Sequence, residues 1–464
     1  MNKHVDISHP RVFNATPRGG VDIETRYRRI KTPLPHPDTL GLLDALSRCE
    51  PISMAGQPPI VWAAADGITV SDPAGNRWID FSSGVLVANC GHGAPELKAA
   101  LLDEIEHGVL FSYCFPNRSR AGLVQRLVEV AGGRIDRCFL LTTGAEAIEN
   151  ALKLARTHGL KTRGRSKRVI VSFEGAFHGR TLGAQLAGGI PALKEWIGIE
   201  DPGFVTIPFP DEAAGSHDFS TFRAALATAE DDVSGVIFES YQGGTGRFYP
   251  NAFMGDLRQW CDTHDALLIA DEVQAGFGRT GKLFGFQHYG IEPDIICCGK
   301  GLSGSLPISA VLGNSRFMDY YGPGEMTSTH SGHPLCARTA LASLKIIEDQ
   351  ALIENSRTMG LILHAEMERL MQRHPTAIAA VNGRGLLAAV LLITPDGAPH
   401  GPLAMDVVDH CVRHGVMLYA PLGPGGATVK INPPLVITEE PLREGLAVFA
   451  DAVAACADDR LGSE

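Results

Sequence analysis

The chain has 464 residues, which at about 150 residues per domain suits two or three packed units. Lys plus Arg number 41 and Asp plus Glu 52, and the resulting net charge of −11 repels phosphate backbones and anionic membrane surfaces, which argues against nucleic acid as a partner. With 44% hydrophobic and 20% charged residues the composition is that of a globular protein, and the longest fully apolar run, Leu386 to Ile393, is eight residues, too short to span a bilayer.

The start, Met1 to Gly20, carries His, Pro and Arg without an apolar h-region, which argues against a secretory signal and for a cytoplasmic protein. Ten cysteines without CxxC spacing read as reduced, mostly buried thiols, with neither disulfides nor a metal site expected. Residues 1–58, rich in Pro and charge, predict an extended N-terminal arm in which Asp38 caps a short helix carrying Leu40, Leu43 and Leu46 on one face. That face needs a surface to pack on, in its own chain or in a partner subunit. Ile60 to Phe81 holds strand-like runs about the turn Asp72-Pro73-Ala74-Gly75, and after residue 345 longer helices surround one strand-like segment, Leu386–Ile393. Residues 59–94 and 346–464 are therefore expected to form a small domain from both chain ends, with 95–345 as a large domain.

Across 95–345 short apolar runs alternate with helical patterns, the signature of strand-helix units building a mostly parallel sheet. Arg168–Phe173, Val233–Phe238, Ala266–Ala270 and Ile295–Cys298 are the clearest strands. Glu239, Asp271 and Lys300 follow the last three, 32 and then 29 residues apart, about one strand-helix-strand unit each. That repeat brings them together beyond the carboxyl ends of the strands, where open α/β sheets bind ligands. Upstream, Thr142-Thr143-Gly144-Ala145 opens a helix whose apolar face is Ala147, Ile148, Ala151, Leu152 and Ala155, and the free N–H groups of such a turn suit a phosphate. Lys300, between glycines at the end of a buried strand, sits where desolvation lowers an amine pKa and favours a Schiff base. Asp271 needs a cationic partner. An aldehyde cofactor with a phosphate tail and a pyridine ring answers all three requirements.

The block Asp271-Glu272-Val273-Gln274-Ala275-Gly276-Phe277-Gly278-Arg279-Thr280-Gly281, followed at this separation by Gly299-Lys300-Gly301, resembles the class III, fold type I, pyridoxal 5'-phosphate-dependent aminotransferases, among them the ornithine, 4-aminobutyrate and ω-amino acid transaminases. The resemblance runs from about Ile60 to the C-terminus. It implies an α/β fold: a large domain with a mostly parallel seven-stranded sheet plus a smaller α+β domain. It also implies that Lys300 condenses with the cofactor aldehyde and carries the proton between Cα and C4′, while Asp271 pairs with the pyridine nitrogen. Thr143, Gly144 and Ala145 belong at the phosphate. Phe177, in Phe177-His178-Gly179-Arg180-Thr181, stacks on the ring beside His178, with Val273 on the other face. Gln274 reaches the phenolic oxygen and Glu239 joins the same polar network. Thr329 matches a threonine that reaches the phosphate of the neighbouring subunit, so a homodimer with active sites at the subunit interface is expected.

Two positions depart from the pattern of glutamate-using members. Gly244 stands where a second acid follows Glu239-Ser240-Tyr241-Gln242-Gly243, and Lys430 stands where an arginine precedes Pro433-Pro434. A lysine offers a flexible point charge in place of a bidentate fork. Lys430, with Arg180 as the next candidate, is the expected carboxylate contact, and Val85, Leu86, Tyr113, Cys114 and Phe115 line an apolar, roomy substrate side. The expected reaction moves an amino group from a glutamate-, glutamine- or alanine-type donor to an aldehyde or keto acceptor, with room for a bulky substrate of specialised metabolism. The alternative is an amino acid racemase, epimerase or aminomutase, which would share the lysine and aspartate.

Overall fold

In the computed structural model the described residues are 13–19, 21–210 and 218–461, and they form two compact units. One comprises Pro95–Gly243 and Arg247–Ile353 within its described residues; the other draws on those of Met1–Ala94, Gly244–Gly246 and Glu354–Glu464.

The first unit is built on a seven-stranded sheet. Its strands are β1 (Arg137–Leu141), β2 (Val169–Phe173), β3 (Phe204–Ile207), β4 (Val233–Glu239), β5 (Leu267–Asp271), β6 (Ile295–Cys298) and β7 (Ser309–Gly313), in the order β1-β7-β6-β5-β4-β2-β3. β7 runs antiparallel to both neighbours and every other pair is parallel. A parallel sheet is covered on both faces, so its strands are apolar throughout rather than alternating; β2, β4, β5 and β6 are buried at every residue. Helix α1 (Gly144–Arg163) and helix α2 (Asn251–His264) pack on this sheet. The face of α1 read from the sequence, Ala147, Ile148, Ala151, Leu152 and Ala155, is buried against Ile237, Ile269 and Ile295 of the central strands. The chain length between strands thus ends β4, β5 and β6 at one edge, and Asp271 is the register partner of both Glu239 and Cys297.

In the second unit Thr69–Ser71 and Arg77–Asp80 form an antiparallel pair about the expected turn, where Asn76 N donates to Asp72 Oδ1 at 2.9 Å. Arg29–Ile30 pairs with Arg77–Asp80 and Ile23–Glu24 with Arg29–Ile30, so the described part of residues 1–58 adds strands to this sheet. The leucine helix is Leu40–Cys49; Thr39 precedes it, and Asp38 lies in the 3-10 turn before. The C-terminal part holds more strand than its sequence suggests: Ile378–Asn382, Ala388–Leu392 and Thr428–Ile431 form an antiparallel sheet, and Val416–Met417 pairs in parallel with Arg77–Asp80. Thr-Val-Lys-Ile at 428–431 is short and carries a lysine, which hides it from a pattern reading. No helix among the described residues is long and apolar enough to cross a membrane.

Candidate active site

At the carboxyl edge of β4, β5 and β6 a cavity of about 170 Å³ is lined by Gly144, Ala145, Phe177, His178, Glu239, Asp271, Val273, Gln274 and Lys300, together with Gly179, Tyr241 and Ala275. All lie in the first unit.

Asp271 ends β5 and is 6% exposed. Its Oδ2 lies 2.7 Å from Nδ1 of His178, whose side chain is wholly buried, and its Oδ1 accepts the Val273 N–H at 3.0 Å. Both carboxylate oxygens are thereby oriented. His178 Nε2 is also buried and has no hydrogen-bond partner among the described residues. Glu239 ends β4 and accepts the N–H groups of Phe177 on Oε2 and Gly243 on Oε1, both at 3.1 Å. Burial pushes its carboxyl up to about 7, and the charge of Asp271 adds to that, while His178 and the two backbone donors oppose it. Lys300 follows β6 after Gly299, with a left-handed φ of 42°. Desolvation lowers its pKa below the ordinary lysine value, against the attraction of Asp271 and Glu239. A non-glycine residue held at positive φ is strained, and such residues cluster at functional sites.

Helix α1 starts at the same edge. Thr143 Oγ1 accepts the Glu146 N–H at 3.2 Å, and Glu146 Oε2 accepts the N–H groups of Thr142 and Thr143 at 3.0 Å each, a capping box. That cap uses the amides of Thr142, Thr143 and Glu146, while Gly144 and Ala145 line the cavity. Thr143 therefore serves the helix with its hydroxyl and is not part of the lining. Gly144 permits a close approach: a Cβ there would lie 2.8 Å from Val273 Cγ1.

These features fit pyridoxal 5'-phosphate. A helix N-terminus with two lining amides suits the phosphate, Phe177 and Val273 supply apolar walls for a ring, an oriented carboxylate suits a protonated ring nitrogen, and a depressed amine stands at the same cavity. Tyr241 and Ala275 were not singled out by the sequence reading, although both lie inside blocks that it singled out. Among the described residues no group of three or more His, Cys, Asp and Glu is placed to hold a metal ion.

The other expected residues lie outside this lining. Arg180 is exposed, with its guanidinium carbon 5.8 Å from the Phe177 ring centroid. Tyr113 is 39% exposed and its hydroxyl lies 3.2 Å from Thr327 Oγ1. Thr329, Cys114 and Phe115 are exposed. Val85, Leu86, Gly244 and Lys430 belong to the second unit. Lys430 is 2% exposed on the strand Thr428–Ile431, opposite Ala389, so the flexible swing into solvent that its side chain suggests is blocked by the packing of that strand.

Residues 53–453 match the model of the family Aminotransferase class-III. The acetylornithine aminotransferase of Gloeobacter violaceus is 32% identical over 391 residues, covering 84% of this chain and 92% of its own. The ornithine aminotransferase of Emericella nidulans is 33% identical over 401 residues, covering 85% and 86%. Among solved structures, the ornithine aminotransferase of Toxoplasma gondii, with partial occupancy of pyridoxal phosphate at its active site, superposes with a TM-score of 0.81 at 28% identity, covering 92% of this chain and 96% of its own. These relatives disfavour the racemase, epimerase and aminomutase alternative. The chain belongs to the class III aminotransferases, transaminases of fold type I that use pyridoxal 5'-phosphate.

Proposed function

We propose that this aminotransferase works through Lys300 and Asp271, taking an amino group from a carboxylate-bearing donor of the glutamate, glutamine or alanine type and passing it to a bulky aldehyde or keto acceptor. The observation that carries the reading is the joint lining of one cavity by an oriented, buried carboxylate, a lysine of lowered pKa and the first amides of α1. When bound, pyridoxal 5'-phosphate supplies an aldehyde carbon that takes up and gives back the amino group and a ring that accepts electrons. Lys300, uncharged at a lower pH than an ordinary lysine, would hold the cofactor through its amine and would serve as the general base that moves the proton. Asp271, pinned on both oxygens, would hold the ring nitrogen in its protonated form. Phe177 and Val273 hold the ring in register, and the amides of Gly144 and Ala145 hold the phosphate. Gln274 and Glu239 complete the polar side of the cavity.

The names of the relatives, acetylornithine and ornithine aminotransferase, support an amino acid substrate, and Lys430 is the cation proposed to receive the α-carboxylate of the donor. Val85, Tyr113 and Arg180 are proposed substrate contacts. A cytoplasmic homodimer is the proposed working form, with Thr329 reaching across it. Supporting that, Leu42, Leu46 and Ile52 of the second unit and Leu110, Phe111 and Phe115 of the first are between 44% and 82% exposed. The test is Lys300→Ala: the protein is expected to lose the visible absorbance of lysine-bound cofactor and amine transfer to pyruvate or 2-oxoglutarate. Transfer at a wild-type rate in that variant would move the chemistry to another lysine, and isomerisation without net transfer in the wild type would restore the racemase alternative.

A further inference from the structure

In the second unit, four consecutive residues, Ser83, Gly84, Val85 and Leu86, hold left-handed φ values of 49°, 56°, 63° and 66°. Only one is glycine. A β-branched residue in this region is an outlier that persists only where its surroundings over-determine it. The surroundings do so. Asp80, wholly buried, accepts both the N–H and the hydroxyl of Ser82 on Oδ1, at 2.7 and 2.6 Å, and its Oδ2 lies 2.7 Å from His92 Nε2. Ser82 Oγ accepts the Gly84 N–H at 3.0 Å.

The second clamp is Asn432, 0% exposed, two residues beyond Lys430. Its N–H donates to Phe81 O at 2.8 Å, its Nδ2 donates to Ser82 O at 2.9 Å, and its carbonyl accepts the Ser83 hydroxyl at 2.6 Å. Its Oδ1 accepts the Tyr419 hydroxyl at 3.1 Å. One buried asparagine therefore binds three successive residues at the entry to the strained turn. The product of this tension is a single exposed side chain: Ser83 and Leu86 are buried, while Val85 is 43% exposed.

We propose that Asn432 is a positioning residue that locks the left-handed turn Ser83–Leu86 to the strand carrying Lys430, so that Val85 and Lys430 form one rigid specificity-determining block for the amine substrate. The inference rests on the aminotransferase reading and on the proposed substrate roles of Val85 and Lys430. A rigid block discriminates by shape, since a turn with two clamps cannot yield to an ill-fitting substrate, whereas a flexible one would repack.

The experiment uses holoenzyme with two amines, alanine and the bulky 1-phenylethylamine, against a common keto acceptor. In Val85→Gly the left-handed backbone is retained without its side-chain strain. The ratio of kcat/KM for the two amines is expected to shift at least tenfold, with no fall in Tm. Asn432→Ala and the milder Ser83→Ala are expected to shift the same ratio in the same direction, mainly through KM, and each double variant with Val85→Gly is expected to change it no further than Val85→Gly alone. Should Asn432→Ala fail to fold, Ser83→Ala decides. Equal loss for both amines, or additive effects in the double variants, would overturn the proposal and leave Asn432 a purely structural residue. An unchanged ratio in Val85→Gly would place the turn away from the substrate. Absence of transfer from any amine in the wild type would instead overturn the aminotransferase reading itself.

Discussion

Asp271 illustrates how much of the chemistry is settled by a few ångströms around one side chain. His178 and Val273 each hold one of its oxygens. An amide at 271 could accept from one of them but would turn its own N–H₂ toward the other or toward the ring nitrogen, so Asp271→Asn is expected to keep the fold while lowering turnover at least about a hundredfold, the scale of one preorganised electrostatic contact. Steady-state kinetics on cofactor-saturated enzyme check it, and unchanged turnover would count against the role of Asp271. The buried carboxyls set a pH dependence. Glu239 and Glu272 are both pushed up to about 7 by burial, Glu272 despite accepting the Gly285 and Phe286 N–H groups at 2.7 and 2.8 Å. Between about 4.5 and 7 the folded chain holds protons on these groups that the unfolded chain has released, so stability falls as pH rises through that window, by up to about 1.4 kcal/mol per pH unit for each carboxyl. Urea denaturation of the cofactor-free protein at pH 5, 6 and 7 is expected to follow this slope, and Glu239→Gln to flatten it. Stability rising with pH in the wild type would contradict it.

At the scale of the element, α1 separates two jobs that its first turn could have confused. The hydroxyl of Thr143 belongs to the capping box, so Thr143→Ala is expected to cost about 1 kcal/mol of stability with little change in cofactor affinity. Gly144→Ala is expected to do the reverse: its Cβ would meet Val273 Cγ1 at 2.8 Å, displacing a proposed wall of the ring site and weakening cofactor retention at least tenfold in dialysis. Comparable cofactor loss in both variants would mean that the turn acts as one unit. The strands β4, β5 and β6 were legible because a parallel strand buried on both faces is an unbroken apolar run. Ile378–Asn382 and Thr428–Ile431 were not, because a short strand among small and charged residues differs little from a loop until its partners pair with it.

For the molecule as a whole, the uncovered leucine helix and the exposed apolar side chains predict a dimer of 49.5 kDa chains in sedimentation. Thr329→Ala is expected to leave that dimer intact while loosening cofactor retention; an active monomer would refute the shared-site arrangement. Lys430→Ala is expected to raise KM for a carboxylate donor at least tenfold more than for an uncharged amine, and Lys430→Arg to tighten the donor only if the buried strand has room for the larger fork. Equal effects on charged and uncharged substrates would assign Lys430 to the fold, with Arg180 then the next carboxylate candidate.

What the amino-acid sequence determined by itself is the periodic part. Strand-helix units of nearly equal length end three strands at one edge, and residues at those ends, Glu239, Asp271 and Lys300, must meet because the sheet is one layer. The tertiary structure alone decided what depends on distant neighbours: that His178 reaches Asp271 across 93 positions, that Thr143 spends its hydroxyl on a cap, that Lys430 is enclosed, and that Asn432 clamps a turn 349 positions away. Local pattern reports which face of a strand is apolar. It does not report which buried donor will find which buried acceptor, because that choice is made only when burial removes water as the alternative partner.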